Sequence, residues 1–562
     1  MALACALFLA VAGQYFAVLP ILESEDANGH YRYITTLQQQ HRFPVVGQED
    51  NYYGAQLAAA HFPLYYLVGA ALTWPIDASN LDKVITRNTS SIGQEYGANH
   101  NAYFHRPFSG FPTGAELAAR IVAAFSLVCG AVTVACAVGL TRLAVPKRPW
   151  LWLAAGVAIA ANAAFDYHAA QISDDDLVTA LASCSVLALA LWLVRGSRKW
   201  QWVGAIALSL AVLTKFNAIG LVVPYCLALF LKERSARRRI DGLAALLLVF
   251  AVIDGWWLVR GVMLYGDPTG ISALNHSALP GSAPVPPLDH LKQLPANLAF
   301  TLSTFFASFG VADEIQAPAV VAILGSLTGI GLIAGAVAAV RRWREPFWLV
   351  LLVWPVVLLA ETVGYDYTIQ IGGRALFPAI ATLALLVVLG WRKILAKVRP
   401  AVTGPILAAA GLGVAIATAW MVVAPVFTYP PRLPALPASA RPLHAVFDGG
   451  AELIGVDGPS IFAVEPGHTY PLTLYWRLSA PVSRPLLDFV HVESNDPTYA
   501  PGASYDGAAG EGRYPPNFWQ PGEVVVDHIE LTLQPDQRAD RRNAVLLLSL
   551  IHISEPTRQA EI

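Results

Sequence analysis

The sequence predicts a polytopic α-helical membrane protein with a C-terminal all-β sandwich domain. Of its 562 residues, 55% are hydrophobic and only 14% are charged, whereas soluble proteins carry about 25% charged residues. Long apolar runs recur from residue 1 to about residue 426. Beyond residue 430 the runs become short, alternate in polarity and are broken by Gly and Pro, a pattern typical of strands.

The apolar runs predict about eleven transmembrane helices, because crossing a bilayer takes about 20 apolar residues. The predicted spans are 1–22, 116–140, 149–170, 177–194, 200–214, 216–231, 241–263, 317–340, 346–363, 375–391 and 402–426. Residues 1–22 have neither a basic leading segment nor a clear cleavage site, so we expect a retained helix and not a signal peptide.

Basic residues indicate the orientation of these helices. Lys and Arg concentrate in alternate short loops, and the positive-inside bias places such loops in the cytoplasm. These loops are 142–148, 195–199, 232–239, 341–344 and 392–399. The N-terminus is then cytoplasmic and the large loop 23–115 lies outside. The apolar run 56–76 is expected to be an interfacial or re-entrant helix, because counting it as a span would invert every later loop.

The C-terminal part is predicted to form a separate domain. A transmembrane domain, 1–430, leads through a stiff Pro-rich linker, 431–440, to a β-sandwich over 441–547 on the outer side. Residues 548–562 look like a translated sequencing adapter, so we expect a non-native tail and a truncated sandwich.

Composition also limits the partners. The net charge of −2 gives no reason to expect a nucleic-acid partner. The five cysteines lie in or beside apolar runs without a Cys-x-x-Cys pair. We therefore interpret them as small core residues and not as disulfides or metal ligands.

Two groups of acids are predicted to lie on the outer face. Glu25 and Asp26, followed by His30, come directly after the first apolar run. Asp174, Asp175 and Asp176 follow Ser173 at a predicted helix start. One carboxylate there would serve as a helix cap, but three adjacent like charges favour a nearby cation or basic partner.

Isolated cations are predicted on the same face. Lys215 lies between two apolar runs, where an ammonium group is costly unless it is paired or reaches the interface. Arg374 opens an apolar run, and Arg260 follows Trp256 and Trp257. Carboxylates can act as a general base or hold a divalent cation, and such cations suit a phosphate. Together they favour group transfer from a lipid-borne phosphate, whereas acids alone would suit ion transport.

In their order along the chain, these motifs resemble those of the GT-C superfamily of polyprenyl-phosphate-sugar-dependent membrane glycosyltransferases. The similarity is to the bacterial protein-mannosyltransferase-like and aminoarabinose-transferase-like branch. It covers about 15–430, and the β-domain resembles a C-terminal extension of some bacterial members. The matching pieces are Asp26 with His30, Tyr31 and Tyr33, then Pro63 with Tyr65 and Tyr66, then 172–177, 213–216, 265–268 and 373–379.

The resemblance implies a glycosyltransferase of the bacterial cytoplasmic membrane. It would move a sugar from a polyprenyl-phosphate donor to a protein, lipid or glycan acceptor on the outer face. By resemblance, the catalytic residues would be Asp26, Glu25 and Asp175, and the donor phosphate would bind Lys215, Arg374 and Arg260. The pocket would include His30, Tyr31, Tyr65 and Tyr66, and a divalent cation would bind Asp174 and Asp176.

Two departures and two alternatives accompany this interpretation. Where the family has an acidic pair, Asp26 is followed by Ala27, with Glu25 one position early; Arg260 is followed by Gly261 where relatives often have Asn. A transporter or flippase for a lipid or polysaccharide intermediate should have related halves with broken helices, and no such internal symmetry is found in the sequence. A non-catalytic envelope protein that presents the β-domain stays open.

Overall fold

The computed structural model forms two compact units, each described here by itself. The membrane unit comprises Met1–Ala78 and Thr113–Ala424, and the β unit comprises Ser79–Pro112 and Pro425–Ile562. The sequence predicts that the whole loop 23–115 belongs to the transmembrane domain, whereas in the structure its segment Ser79–Pro112 belongs to the β unit. The structure describes residues 1–24, 26–49, 54–91, 99–107, 110–278, 286–311, 315–364, 372–397, 400–447, 450–458, 469–483, 485–494, 503–532, 544–551 and 559–561.

Helices make up most of the membrane unit. In chain order the helices are α1 (Ala2–Val18), α2 (Ala27–Gln40), α3 (Leu64–Thr73), α4 (Leu81–Val84, in the β unit), α5 (Gly114–Ala144), α6 (Pro149–Ala160), α7 (Ala163–Ala169), α8 (Asp174–Arg195), α9 (Lys199–Val212), α10 (Val222–Lys232), α11 (Ala236–Ile253), α12 (Gly255–Tyr265), α13 (Ile271–Ala278), α14 (Pro287–Thr304), α15 (Pro318–Val340), α16 (Pro346–Val363), α17 (Ile380–Ile394), α18 (Pro400–Thr418) and α19 (Ala424–Phe427). Two 3-10 helices, Phe216–Leu221 and Gly373–Ala379, lead into α10 and α17.

The chain is a multi-pass membrane protein, as predicted. Among the described residues, six helices are long and apolar enough to cross a membrane, or seven if α11 and α12, bent by 57°, form one span. The six are Gly114–Ala144, Asp174–Arg195, Pro318–Val340, Pro346–Val363, Gly373–Ile394 and Val402–Phe427. The predicted count of eleven is not confirmed, since the runs 1–22, 149–170 and 216–231 fold as shorter apolar helices. The run 56–76 contains the ten-residue helix α3, which is too short to span.

Glycines allow α15 and α17 to pack with their backbones in contact. A Cβ atom at Gly335 would lie 1.9 Å from the carbonyl oxygen of Leu386, and one at Gly390 would lie 1.8 Å from that of Gly331. Small residues at such positions are the usual means of close helix packing in a bilayer. This contact anchors α17, which continues the 3-10 helix that carries Arg374.

The β unit is a sandwich of two antiparallel sheets, so this part of the predicted fold class is confirmed. One sheet has the strand order β5-β11-β8-β7-β6 and the other β10-β9-β12-β13. Their strands are β5 (Arg432–Leu433), β6 (Arg441–Val446), β7 (Ala451–Asp457), β8 (Thr469–Leu478), β9 (Leu487–Ser494), β10 (Ala503–Ala508), β11 (Val524–Thr532), β12 (Ala544–Ile551) and β13 (Gln559–Glu561). A two-stranded antiparallel sheet in the β unit pairs β1 (Ile85–Arg87) with β2 (Tyr103–His105), and another in the membrane unit pairs β3 (Ser308–Phe309) with β4 (Ile315–Gln316). Side chains of both sheets, among them Trp476 and Val490, form one core.

Segments outside the predicted sandwich also belong to the β unit. Asn101 Nδ2 donates to the carbonyl oxygen of Gly512 at 2.6 Å, and Asn99 Oδ1 accepts from the backbone N–H of Ala508 at 3.1 Å. Strand β5 lies within the predicted linker and pairs with β11. Strand β12 runs to Ile551 and pairs with β9 over its full length, so the first residues of the predicted tail continue a strand. The non-native origin of 548–562 stays a prediction.

Candidate active site

The acids Asp174, Asp175 and Asp176 form the first turn of α8. The helix begins because Ser173 is extended, with φ −146°, and its hydroxyl accepts from the backbone N–H of Asp175 at 3.2 Å. Tyr65 supports the same turn, since its hydroxyl accepts from the backbone N–H of Ser173 at 3.1 Å. All three carboxylates are buried. Capping fixes the start of the helix, but buried charges also need partners.

Lys215 provides one such partner. Its ammonium group lies 3.1 Å from Asp174 Oδ1 and 2.7 Å from Asp175 Oδ1. It occupies the turn between α9 and the 3-10 helix Phe216–Leu221. Burial alone would lower the pKa of Lys215, but the two carboxylates outweigh burial and raise it. The ammonium group therefore stays charged and is paired, and does not simply reach towards the interface.

Arg374 provides the second cation. Glycine is required before it, because a Cβ atom at Gly373 would lie 2.2 Å from the backbone nitrogen of Phe305. The backbone N–H of Gly373 also donates to Thr304 Oγ1 at 2.7 Å, which fixes the turn against α14. From this turn, the Arg374 guanidinium reaches Asp26 Oδ2 at 2.9 Å and Asp175 Oδ2 at 3.8 Å. Arg374 thus joins the two acidic motifs.

Asp26 precedes α2 in a backbone conformation that side chains rarely adopt. Its φ is +58°, in the left-handed region, where a residue with a Cβ atom is strained. Its side chain is 26% exposed. Burial raises the pKa of Asp26, but the Arg374 guanidinium outweighs this effect and the pKa is lowered. Asp26 is therefore an ionised, accessible carboxylate at neutral pH.

Two histidines and a tyrosine surround Asp174. His30 Nδ1 and His61 Nδ1 lie 2.8 Å and 3.0 Å from the Tyr66 hydroxyl. That hydroxyl donates to Asp174 Oδ2 at 3.5 Å. Burial lowers the pKa of His30 to about 4, so its imidazole is neutral at pH 7. Burial, together with the charge of Asp174, raises the pKa of Tyr66 well above its usual value, which keeps the phenol protonated.

Not every predicted site residue joins this cluster. Arg260 donates to the carbonyl oxygen of Pro44 at 2.8 Å and lies over the ring of Trp257, at 4.5 Å from its centroid. Tyr31 is buried and donates to the carbonyl oxygen of Ala115 at 2.9 Å, a structural contact with α5. Glu25 lies outside the described residues. The roles of all the predicted site residues stay predictions.

Two residues of the cluster were missed from the sequence. His61 lies 3.3 Å from Asp174 Oδ2, but it falls in the run set aside as interfacial. His168, at the end of α7, is buried; burial first, and then Arg374, lower its pKa to about 3. The ring of His168 lies 5.6 Å from that of Phe377, in the 3-10 helix that carries Arg374. The only sign of either site residue in the sequence is that a histidine interrupts an apolar run.

One group in the cluster has the composition and spacing of a metal site. Ligand atoms of His30, His61 and Asp174 all lie within 4.8 Å of one another. The predicted metal pair Asp174 and Asp176 stays a prediction; both carboxylate oxygens of Asp176 are buried without a hydrogen-bond partner in the described part of the chain. Among the described residues, two imidazoles lie within reach of Asp174.

The fold and the cluster describe a multi-pass membrane protein with paired acids and cations at the ends of its helices. No model of a known protein family and no curated protein sequence matches the chain. Solved structures similar to it include ArnT from Cupriavidus metallidurans bound to undecaprenyl phosphate, at 16% identity and a TM-score of 0.45, covering 74% of this chain and 70% of ArnT. The apo state of the same ArnT gives 15% identity and a TM-score of 0.43, covering 75% of this chain and 73% of ArnT.

A third similar structure is arabinosyltransferase EmbB from Mycobacterium smegmatis, at 11% identity and a TM-score of 0.39, covering 99% of this chain and 64% of EmbB. The motif resemblance pointed to the aminoarabinose-transferase-like branch, and ArnT is among the similar structures.

Proposed function

We propose that this chain is a membrane glycosyltransferase that moves a sugar from a polyprenyl-phosphate donor to an acceptor. The observation that carries the proposal is the meeting of Asp26, Asp175, Lys215 and Arg374 in one cluster. Arg374 lies 2.9 Å from Asp26, and Lys215 lies 2.7 Å from Asp175. A carboxylate suited to a hydroxyl acceptor therefore lies beside two cations suited to a phosphate.

The two cations would bind the donor phosphate. Their side chains are 29% and 20% exposed for Lys215 and Arg374, so a ligand can reach both. The planar guanidinium of Arg374 can bind a phosphate through two hydrogen bonds, whereas Lys215 acts as a point charge. Cations at this position stabilise the charge that develops on the leaving phosphate as the glycosidic bond breaks. A divalent cation held near Asp174 would add to that charge.

Asp26 would orient the acceptor hydroxyl and accept its proton. In the free protein its carboxylate is engaged by Arg374, so a phosphate that binds Arg374 would release Asp26 for the acceptor. The left-handed backbone at Asp26 indicates that its position is maintained at a cost in backbone strain. Donor binding would in this way free the carboxylate of Asp26 to act as the base. A single displacement by the acceptor would then invert the anomeric centre of the sugar.

For its location, we propose the bacterial cytoplasmic membrane with the N-terminus inside. The alternation of basic loops supports this orientation. Because Ser79–Pro112 and the C-terminal sandwich form one unit, both must lie on the same side of the membrane. The sandwich would therefore be extracytoplasmic, like the loop 23–115. The acceptor would then be a protein, lipid or glycan of the envelope.

Lipid analysis followed by sugar transfer tests the proposal. Mass spectrometry of lipids that co-purify with the full chain should detect a polyprenyl phosphate, and incubation with labelled polyprenyl-phosphate sugars should give a labelled acceptor. Asp26→Asn should lower transfer at least about 100-fold while the protein stays folded in membranes. Arg342→Lys, in an exposed ion pair with Glu345, serves as the matched control and should retain transfer.

Full transfer by Asp26→Asn would remove Asp26 from the mechanism. Movement of a lipid-linked sugar across proteoliposomes without any transfer would instead favour the transporter alternative. Absence of bound polyprenyl phosphate, together with sugar binding by the protein, would favour a non-catalytic role.

A further inference from the structure

We propose that His30, His61 and Asp174 form a binding site for a transition-metal dication of the Zn²⁺ type. The three side chains come from α2, from the segment before α3 and from the first turn of α8. They lie far apart in the sequence and meet only in the folded membrane unit. Such a site would exist whatever the chemistry of the neighbouring cations, so its test does not depend on sugar transfer.

The spacing of the ligand atoms fits a small, tetrahedral ion. His61 Nδ1 lies 3.3 Å from Asp174 Oδ2, and His30 Nε2 lies 3.9 Å from Asp174 Oδ1. All three residues offer ligand atoms within 4.8 Å of one another. Zinc bonds to nitrogen and oxygen of about 2.0–2.1 Å in a tetrahedron place the ligand atoms about 3.4 Å apart. The His61–Asp174 edge already has this length, the His30–Asp174 edge must close by about 0.5 Å, and no separation among the three must close by more than about 1.4 Å.

The surroundings orient His30 as a metal ligand. Its Nδ1 lies 2.8 Å from the Tyr66 hydroxyl, while its Nε2 faces Asp174. A hydrogen bond at one ring nitrogen that directs the other towards the ion is the usual arrangement around a ligating histidine. The Tyr66 ring is itself fixed by stacking on Tyr33 at a centroid distance of 3.9 Å. Tyr66 lies within reach of all three ligands, so its hydroxyl is a fourth ligand or a hydrogen-bond partner for a bound water.

The donor set selects the class of ion. Two imidazoles and one carboxylate suit Zn²⁺ and neighbouring transition ions, whereas Mg²⁺ and Ca²⁺ prefer an all-oxygen set. His61 is 24% exposed, while His30 and Asp174 are 1% and 0% exposed. An ion could therefore arrive from the His61 side and retain an open position there.

Metal binding would also rearrange the neighbouring ion pairs. Lys215 contacts Asp174 at 3.1 Å and Asp175 at 2.7 Å, so it can give up the first carboxylate and keep the second. A dication on Asp174 would repel the ammonium group towards Asp175. If the proposed function holds, this moves Lys215 towards the carboxylate that Arg374 also approaches. The ion would in this way bias the phosphate-binding cations without contacting the donor.

Metal content and Co²⁺ spectroscopy test the site. The full chain is purified without a histidine tag, stripped with a chelator and titrated with Zn²⁺ or Co²⁺. We expect about one ion per chain and the intense visible absorption of tetrahedral Co²⁺. His61→Ala and His30→Ala should each weaken binding at least about tenfold. Tyr66→Phe should weaken binding less than either of these, because it leaves the three ligands in place but removes the hydrogen bond that orients His30.

A matched histidine variant controls for general effects. His41→Ala alters an exposed histidine beside Trp74, away from the cluster, and should bind the ion like the wild type. His61 is partly exposed, so its replacement should leave the protein folded, which thermal unfolding of the stripped protein checks. Equal Co²⁺ binding with the same spectrum in the wild type and His61→Ala would overturn the proposal. So would a wild-type chain that binds no Co²⁺ after stripping.

Discussion

The membrane unit and the β unit both bury carboxylates, but they surround them differently. Asp174 and Asp175 lie against Lys215, and Arg374 reaches Asp175 and Asp26. In the β unit, Asp488 on β9 and Asp527 on β11 come from opposite sheets, interact with each other in the core and are both fully buried. One group of acids is balanced by cations, whereas the other pair requires a proton.

Hydrogen-bond donors lie around the pair Asp488 and Asp527, but among the described residues no cation forms an ion pair with either carboxylate. Asp527 Oδ1 accepts from the backbone N–H of Glu511 at 2.6 Å, while both oxygens of Asp488 lack a protein donor. Burial first, and then the charge of Asp527, raise the pKa of Asp488; burial also raises the pKa of Asp527. The charged and titratable groups near the pair are Tyr505, Glu511, Arg513 and His528. A shared proton therefore keeps the pair in the core.

This difference indicates what each group of acids is for. Cations beside buried acids keep them ionised and available to a ligand, at the expense of desolvating several charges. A shared proton removes charge and leaves a structural contact between the two sheets. Only the first arrangement offers charges to a substrate.

The largest effect should follow from removal of Lys215. Lys215→Met leaves Asp174 and Asp175 buried without their closest cation, which typically costs about 3–5 kcal/mol; the partial exposure of Lys215 places this change at the lower end. Thermal unfolding in detergent should show a marked loss of stability, and sugar transfer should disappear. Lys292→Met, which alters an exposed pair with Asp289, is the control and should change neither. A stable Lys215→Met protein would mean that the acids do not need the cation.

A smaller effect of opposite sign is expected in the β unit. Asp527→Asn keeps the shape of the side chain and removes one potential charge, so Asp488 no longer has to share a proton. At pH 8 we expect the β unit to gain about 1 kcal/mol of stability, with little change at pH 5. Hydrogen exchange of amides in β9 and β11 of the full chain measures this. If Asp527→Asn destabilised the β unit equally at pH 5 and pH 8, the pair of acids would be neutral at both pH values.

Asp26 and the pair Asp488 and Asp527 should respond to pH in opposite directions. The pKa of Asp26 is lowered, so its contribution to stability is present above its unfolded pKa of about 4 and is lost as the pH falls. The pKa values of Asp488 and Asp527 are raised, so their contribution is present in acid and is lost as the pH rises through the folded pKa. Hydrogen exchange of amides in α2, which follows Asp26, and in β9 and β11, followed between pH 4 and 9, should separate the trends. Parallel profiles would contradict the comparison.

The smallest change in stability should accompany Arg374→Lys. The charge beside Asp26 and Asp175 is retained, so unfolding should shift by less than about 1 kcal/mol. Transfer should nevertheless fall at least about tenfold, because an ammonium group cannot replace a planar two-point donor. Arg374→Lys with unchanged transfer would mean that point charge alone is needed at this position.

The sequence predicted the kinds of secondary structure well, but it predicted the site only in part. The apolar runs predicted the multi-pass helical class, and the short alternating runs beyond residue 430 predicted a domain of strands. Residues 149–170 fold as a short helix, α6, followed by α7. The length of the apolar run could not show this, because an interrupted helix and a continuous span have similar composition. The assignment of Ser79–Pro112 to the sandwich depends on contacts such as Asn101 with Gly512, which local sequence does not encode.

By itself, the sequence determined where charge interrupts apolar segments: Asp26, Asp174–Asp176, Lys215 and Arg374 were all identifiable, because a charge beside an apolar run is costly wherever it lies. Only the tertiary structure decided which charges meet. It joined Lys215 to Asp174 and Asp175, brought Arg374 to Asp26, placed His61 beside Asp174 and directed Arg260 to Pro44 instead. The reason is physical: the cost of burying a charge is a property of the residue, but the partner that offsets it depends on the packing of segments that are 40 to 348 residues apart in the chain.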